Sequence, residues 1–360
     1  MMSKEVTYKD LIAFHPGSYV EDVIDDLNIT QEEFAKRLDT TPKTLSKVVN
    51  GEARISKDIA NKLFKITGVS VETWLNLQAK YDAKIVEIEN QQNQDEQDIC
   101  RNIDFKYFKD NGFFNPNKRY KLQDKISALR NLLNVSNLSQ LIKFNSLVSY
   151  RHTQKFSEKS VVNSNVMLEL AMNEARNRTS NKYQKVELEA ILPDIRKMTL
   201  QTPEQFYTKL KNMLLNCGIV LVGLPKLTSA GLNGATKKFK NGSVLLLITD
   251  KDKKADVFWF SLIHELGHIY YEDFTSDSND QEEYRKKEER ADKFARNFFI
   301  PENLYDEFVR NNHFDEDAVK DFSEKLGISS GIVVGRLQRE KKIDYKELNN
   351  LKLRYVIELS

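Results

Sequence analysis

A chain of 360 residues with 55 Lys and Arg against 53 Asp and Glu has a net charge of only +2. No global field draws it to nucleic acid or to a membrane surface, so any DNA contact must be local. The length exceeds what one core usually serves and sets two or three domains as the expectation, and the only cysteines, Cys100 and Cys217, lie outside any Cys-x-x-Cys spacing, which fits a reducing cytoplasm better than a disulfide framework.

The N-terminal MMSKEVTYKDLIAFHPG lacks the apolar core of a signal peptide, and no run of eighteen apolar residues occurs. The expectation is a cytoplasmic protein with no membrane partner. The chain divides into short helices over 1–85, a helical middle region over 86–200, a mixed segment over 201–305 and a helical extension over 306–360. Asn90 to Asp98 (NQQNQDEQD) has no apolar periodicity and reads as a linker or a frayed helix end. The fold class that follows is mainly α and multidomain, with an α+β segment holding a small mixed sheet.

Within the first segment, Thr30-Gln-Glu-Glu33 is a capping box opening a helix that carries Phe34, Ala35 and Leu38 on one face. Asp39-Thr-Thr makes a tight turn, and Thr41-Pro42 starts a second helix that ends at Asn50-Gly51. Leu45 and Val48 face inward, which leaves Lys43, Thr44, Ser46, Lys47 and Asn50 outward, the geometry of a recognition helix. Through HPGSYV at 15–20, TQEEFAKRL, NGEARIS and WLNLQAKYD at 74–82, this segment resembles the Cro/repressor-type (XRE) helix-turn-helix and its HigA-like antitoxin subgroup. Asp39 departs from the glycine usual at that turn, but Asp tolerates a left-handed backbone. The resemblance implies double-stranded DNA as partner, with Thr44, Ser46, Lys47 and Asn50 at base edges and Lys43 on phosphate, bound as a homodimer on paired half-sites.

The middle region shows helical spacing, as in Ile126, Leu129, Leu132 and Leu133, without a motif of its own. Thr202-Pro203 caps a helix to about Asn216; strand-like runs follow at 218–223, 230–239 and 243–249. Next comes WFSLIHELGHIYY at 259–271. His264 and His268, four apart on a helix, share one face and can converge on one ion while Glu265 projects alongside. A catalytic zinc wants three protein ligands and an open position. Downstream, YRKKEERADKFARNFFIP at 284–301 is helical, with Ala291, Phe294, Ala295 and Phe298 as its apolar stripe and with Glu288 and Asp292 four apart.

HELGH followed by Glu-x-x-Ala-Asp-x-Phe-Ala and Pro301 resembles the ImmA/IrrE family of zinc metallopeptidases over roughly 200–340. The resemblance implies zinc held by His264, His268 and Glu288, Glu265 as general base, and Asp292 orienting a histidine from behind. Glu289 is the rival third ligand; Glu288 is preferred because it alone lies four before Asp292. Tyr270, Tyr271, His313 and Arg336 are open candidates for stabilising an oxyanion, and His15 and His152 read as structural. Gly267 inside the helix suggests close packing against a neighbour. Phe322 to Gln338 faintly echoes the N-terminal helix-turn-helix.

Two functions follow. One is a DNA-binding regulator fused to a zinc endopeptidase that cleaves a specific protein, a transcriptional repressor by family resemblance. The other is a HigA-like repressor and antitoxin that binds a toxin, its zinc fold serving as a sensor or docking surface.

Overall fold

The computed structural model describes residues 4–143, 157–274 and 281–357. The chain divides into two compact units, Met1–Asp98 and Ile99–Ser360. None of the helices among the described residues is long and apolar enough to cross a membrane. His152 lies outside the described residues.

The first unit opens with an antiparallel hairpin, β1 (Glu5–Tyr8) and β2 (Leu11–Phe14), in a stretch expected to be helical. Lys9, at φ 52°, turns the chain between the strands. Helices α1 (Gly17–Asp26), α2 (Gln31–Arg37), α3 (Pro42–Val49) and α4 (Lys57–Thr67) follow. Their core holds Phe34, Ala35, Leu38, Leu45, Val48 and Trp74, none more than 2% exposed. The expected caps form: Thr30 Oγ1 accepts from the Glu33 amide and Thr41 Oγ1 from the Thr44 amide, each at 3.1 Å. The Glu33 carboxylate turns to Arg37 at 2.6 Å. Asp39 takes the left-handed conformation at φ 49°. His15 is buried and structural, its Nδ1 accepting from the Gly17 amide at 3.0 Å while its ring meets Tyr81 edge-on.

Helix α5 (Val71–Asn102) runs straight through Asn90–Asp98, which corrects the linker expectation. The segment is polar, yet its residues pair one turn apart: Gln91 donates to Asp95 at 2.9 Å and Gln94 to Asp98 at 3.2 Å. Ile88 and Ile99 are buried on either side of it.

In the second unit, α6 (Phe105–Asp110), α7 (Leu122–Leu133), α8 (Gln140–Lys143), α9 (Glu158–Ala175), α10 (Lys185–Lys197) and α11 (Pro203–Asn216) lead into strands β3 (Ile219–Leu224), β4 (Gly234–Lys238) and β5 (Val244–Thr249). The sheet order is β3-β5-β4, with β5 parallel to β3 and antiparallel to β4. Every residue of β5 is buried because both sheet faces are covered. Strand alternation divides them cleanly: Ile219, Leu221, Leu246 and Ile248 join one core with α11 and the following helix, while Val220, Val222, Leu245 and Leu247 join another with α6 to α9.

Helices α12 (Ala255–Tyr270), α13 (Gln281–Phe299), α14 (Glu302–Arg310), α15 (Glu316–Leu326) and α16 (Ser330–Arg339) complete the unit. Phe299, rather than Phe298, is the fully buried aromatic at the end of α13. The C-terminal end of α13 is tied at two points: Arg196 donates to the Phe299 and Leu326 carbonyls at 2.7 and 3.1 Å, and Arg336 to the Ile300 carbonyl at 2.9 Å. The helix pair over Phe322–Gln338 buries Gly331, Ile332, Val333, Val334 and Leu337, so the face a recognition helix would expose is committed to the core.

Candidate metal centre and recognition helix

Helix α12 is apolar on nearly every side, which places its few polar groups deep in the unit. His268 is fully buried and Glu265 is 2% exposed. Gly267 lets α13 approach: a Cβ there would stand 3.2 Å from Ala291 Cα and from Phe294 Cδ1, as the helix glycine suggested. That close contact brings the acidic face of α13 to the imidazoles. His264 Nε2 and His268 Nε2 lie 3.1 Å apart, with Glu288 Oε1 3.2 Å from His268 Nε2 and Glu288 Oε2 3.4 Å from His264 Nε2. One ligand atom from each of the three residues falls within 4.8 Å of the others.

The rival Glu289 points elsewhere, its side chain 71% exposed and 3.7 Å from Arg285. Asp292 Oδ1 sits 2.8 Å from His264 Nδ1, which fixes the ring and leaves Nε2 facing the cluster. Burial alone would lower the His264 pKa; hydrogen bonds to Asp292 and Glu288 and the charge of Glu265 overcome it and raise the value to about 9. The same contact holds the Asp292 carboxyl below its usual range against the opposing effect of burial. Carboxylates of Glu265, Glu288 and Asp292 thus surround the His264 imidazole. Gly234, at the start of β4, presses on Glu265, since a Cβ there would lie 2.6 Å from Glu265 Cγ.

Two nitrogens bound tetrahedrally to zinc at about 2.05 Å stand about 3.3 Å apart. The separations of 3.1, 3.2 and 3.4 Å among the three residues match that spacing, so the donor set fits such an ion.

None of the four oxyanion candidates joins the cluster. Tyr270 packs on Phe294 beneath Lys185, Tyr271 lies under Arg290, His313 is 70% exposed beside Asp315, and Arg336 is engaged with Ile300, Glu340 and the Tyr305 ring. Two groups that the sequence did not mark stand at the edge instead. Arg339 lies 3.4 Å from Asp292 Oδ2 and stacks over Phe260, whose ring is 6.4 Å from that of His264.

In the first unit, α3 presents Lys43, Thr44, Lys47 and Asn50 to solvent, with Ser46 half-buried. The Thr44 hydroxyl pairs with Thr41 at 2.8 Å, and Asn50 donates to Ser46 Oγ at 3.2 Å, so these side chains are held in place along the helix face.

Residues 21–74 match the helix-turn-helix family, and residues 232–338 match the IrrE N-terminal-like domain. Over 63 residues, 18% of this chain and 67% of the other, the sequence is 36% identical to an HTH-type transcriptional regulator of Escherichia coli, YddM. The chain joins an XRE-type helix-turn-helix to an ImmA/IrrE-like domain. Its XRE-type portion is also similar to virulence-associated protein A' of Dichelobacter nodosus, 46% identical over 19% of this chain and 60% of that protein. Among solved structures, a putative antidote protein of a plasmid maintenance system from Nostoc punctiforme is 35% identical over 23% of this chain and 91% of its own, with a TM-score of 0.23. His264, His268, Glu288 and Asp292 all lie inside the segment that matches the IrrE-like domain.

Proposed function

We propose that the protein is a DNA-binding regulator whose IrrE-like domain is a zinc-dependent endopeptidase acting on a specific protein, a transcriptional repressor by family resemblance. The observation that carries this reading is the convergence of His264, His268 and Glu288, with Glu265 buried on the same helix. His264, His268 and Glu288 would hold the metal, and Asp292 would keep the His264 ring in the ligating tautomer. A zinc ion in such a site supplies Lewis acidity, polarising a peptide carbonyl and making water acidic enough to attack near neutral pH. Glu265 accepts the proton of the attacking water at its carboxylate and passes it to the departing amide nitrogen.

The outward side chains of α3 would read DNA, with Thr44, Ser46, Lys47 and Asn50 at base edges and Lys43 on the backbone. The regulator name borne by the Escherichia coli relative supports that half of the reading. A homodimer on two half-sites is the expected bound form. Carrying its own DNA-reading head raises the local concentration of the peptidase around DNA-bound prey.

In the alternative reading, a repressor whose metal domain docks a partner such as a toxin without hydrolysis, the same residues bind zinc but Glu265 moves no proton. Glu265→Gln decides between them. The variant should retain zinc and DNA binding and lose cleavage of a repressor encoded beside it; equal cleavage by variant and wild type, or none by either, removes the peptidase role. A Lys47→Ala, Asn50→Ala double variant should lose affinity for the protein's own promoter, and unchanged affinity removes the DNA-reading role.

A further inference from the structure

Beside the metal centre, α12, α13, α16 and the chain that follows α16 enclose a cavity of about 560 Å³, within the range of ligand-binding pockets. Part of its wall is apolar, made by Val257 and Phe260 from α12, Phe299 and Ile300 at the end of α13, and Ile332 from α16, and the rest of its lining is polar or charged. The charges around it are unevenly paired. Lys352 is committed to Asp256 and to Gln338, both at 2.7 Å, and this pair, less than a tenth exposed, closes one wall. Arg336 is committed to Ile300 and Glu340, and Arg339 to Asp292 and the Phe260 ring. Lys254 and Arg296 are different: neither side chain makes a hydrogen bond or ion pair with any described residue, and of the two it is Arg296, half-buried on the cavity wall and acting on Asp292 through charge, that offers a guanidinium.

We propose that this cavity binds a carboxylate carried on an apolar body, the acid group seated on Arg296 and the body against Phe260, Val257 and Ile332. A guanidinium offers a planar fork of donors that matches a carboxylate at two points. Against the apolar part of the wall, an oxyanion meeting that fork is partly shielded from the water that would weaken the pair. Arg296 stands one turn beyond Asp292 on α13, and Phe260 one turn before His264 on α12. The occupant therefore lies against the groups that orient the metal-binding face. It is either a free amphipathic acid or an acidic side chain of a bound peptide, and the pocket chemistry is the same for both.

The proposal rests on the metal-centre reading only for its significance, since direct binding to the full chain tests it without any cleavage assay. Calorimetric titration would compare 3-phenylpropionate with its uncharged isostere 3-phenylpropanamide, and the blocked dipeptide acetyl-Phe-Glu-amide with acetyl-Phe-Gln-amide. The acid should bind about ten- to hundredfold more tightly than its amide partner, the range given by one charge-assisted hydrogen-bonded pair. Arg296→Gln should erase that preference, Arg296→Lys should restore part of it, and Val257→Phe should block both ligands by filling the recess. Charge preference for the free acid identifies a small-molecule site; preference confined to the dipeptide identifies a substrate side-chain subsite. Equal binding of acid and amide in both pairs, or an undiminished preference in an Arg296→Gln protein whose thermal unfolding matches wild type, overturns the proposal.

Discussion

The metal centre depends on how closely α12 and α13 pack, and Gly267 is where that dependence can be measured. A Cβ at this position would lie 3.2 Å from Ala291 Cα and Phe294 Cδ1 and 3.4 Å from the Ala291 carbonyl oxygen. Alanine therefore asks α13 to give by a few tenths of an ångström while recovering about 0.5–1 kcal/mol of helix preference, and the two effects nearly cancel. Leucine adds three further carbons at the same contact. Overpacking of that kind costs about 1–3 kcal/mol, only part of which the helix preference offsets. The strain falls on α13, which carries Glu288, and ligand distances in a zinc site hold to within about 0.2 Å. Gly267→Leu should thus lose about 1–2 kcal/mol in urea unfolding and bind zinc about tenfold more weakly in competition with a chromophoric chelator, the factor that 1.4 kcal/mol corresponds to. Gly267→Ala should stay close to wild type in both. If the leucine variant matched wild type in chelator competition and in urea, the argument that this contact sets the ligand geometry would be wrong.

Lys352→Ala should cost about 3–5 kcal/mol in urea unfolding because it strands the Asp256 carboxylate in a buried site, whereas an Asp256→Asn, Lys352→Met double variant should recover most of that loss. Burial raises the Glu169 pKa above its ordinary 4.5, against the opposing charges of Lys237 and Arg176. Its contribution to stability is complete below the unfolded-state pKa and is lost as pH rises through the folded value. Glu169→Gln should therefore flatten the pH dependence of unfolding above 4.5 and stabilise the protein near neutrality, and a parallel profile for the two proteins would contradict the assignment. Stripping the protein with a chelator should lower its melting temperature reversibly, with about 4 kcal/mol returned by zinc at a thousandfold excess over its dissociation constant. An unchanged melting temperature would mean that the folded chain has no site for the ion.

Features that the sequence disclosed are those in which a few neighbouring residues fix the geometry. Thr30 and Thr41 cap their helices through bonds three residues long, and His264 and His268 share a face because four residues make about one turn. The choice of Glu288 over Glu289 rested on spacing from Asp292, and in the structure Glu288 turns to the imidazoles while Glu289 turns to solvent. Composition misleads at Asn90–Asp98, where polarity suggests looseness although Gln–Asp pairs one turn apart run along the helix. In α9, Ser160, Asn163, Ser164 and Asn165 are buried although their polarity would place them outside, and three of them have partners that account for it: Asn163 Nδ2 donates to the Asn102 and Lys159 carbonyls at 3.1 and 2.8 Å, Asn165 Nδ2 donates to the Leu141 carbonyl at 2.7 Å, and the Ser164 hydroxyl accepts from the Gly231 amide at 2.8 Å. Arg296, Arg339 and Phe260 carry no signal in the sequence because their neighbours come from separate helices and no local spacing marks them.

The second face of the β3-β5-β4 sheet has a practical bearing on any attempt to isolate the IrrE-like domain. Val220, Val222, Leu245 and Leu247 are covered by α6 to α9, and Arg196 secures the far end of the helix that carries Glu288. An expression fragment beginning near residue 201 would leave those four side chains bare to water and that helix end untied. The shortest fragment that can be expected to stay soluble and retain its ion therefore starts near residue 99, well upstream of residues 232–338 that match the IrrE-like family.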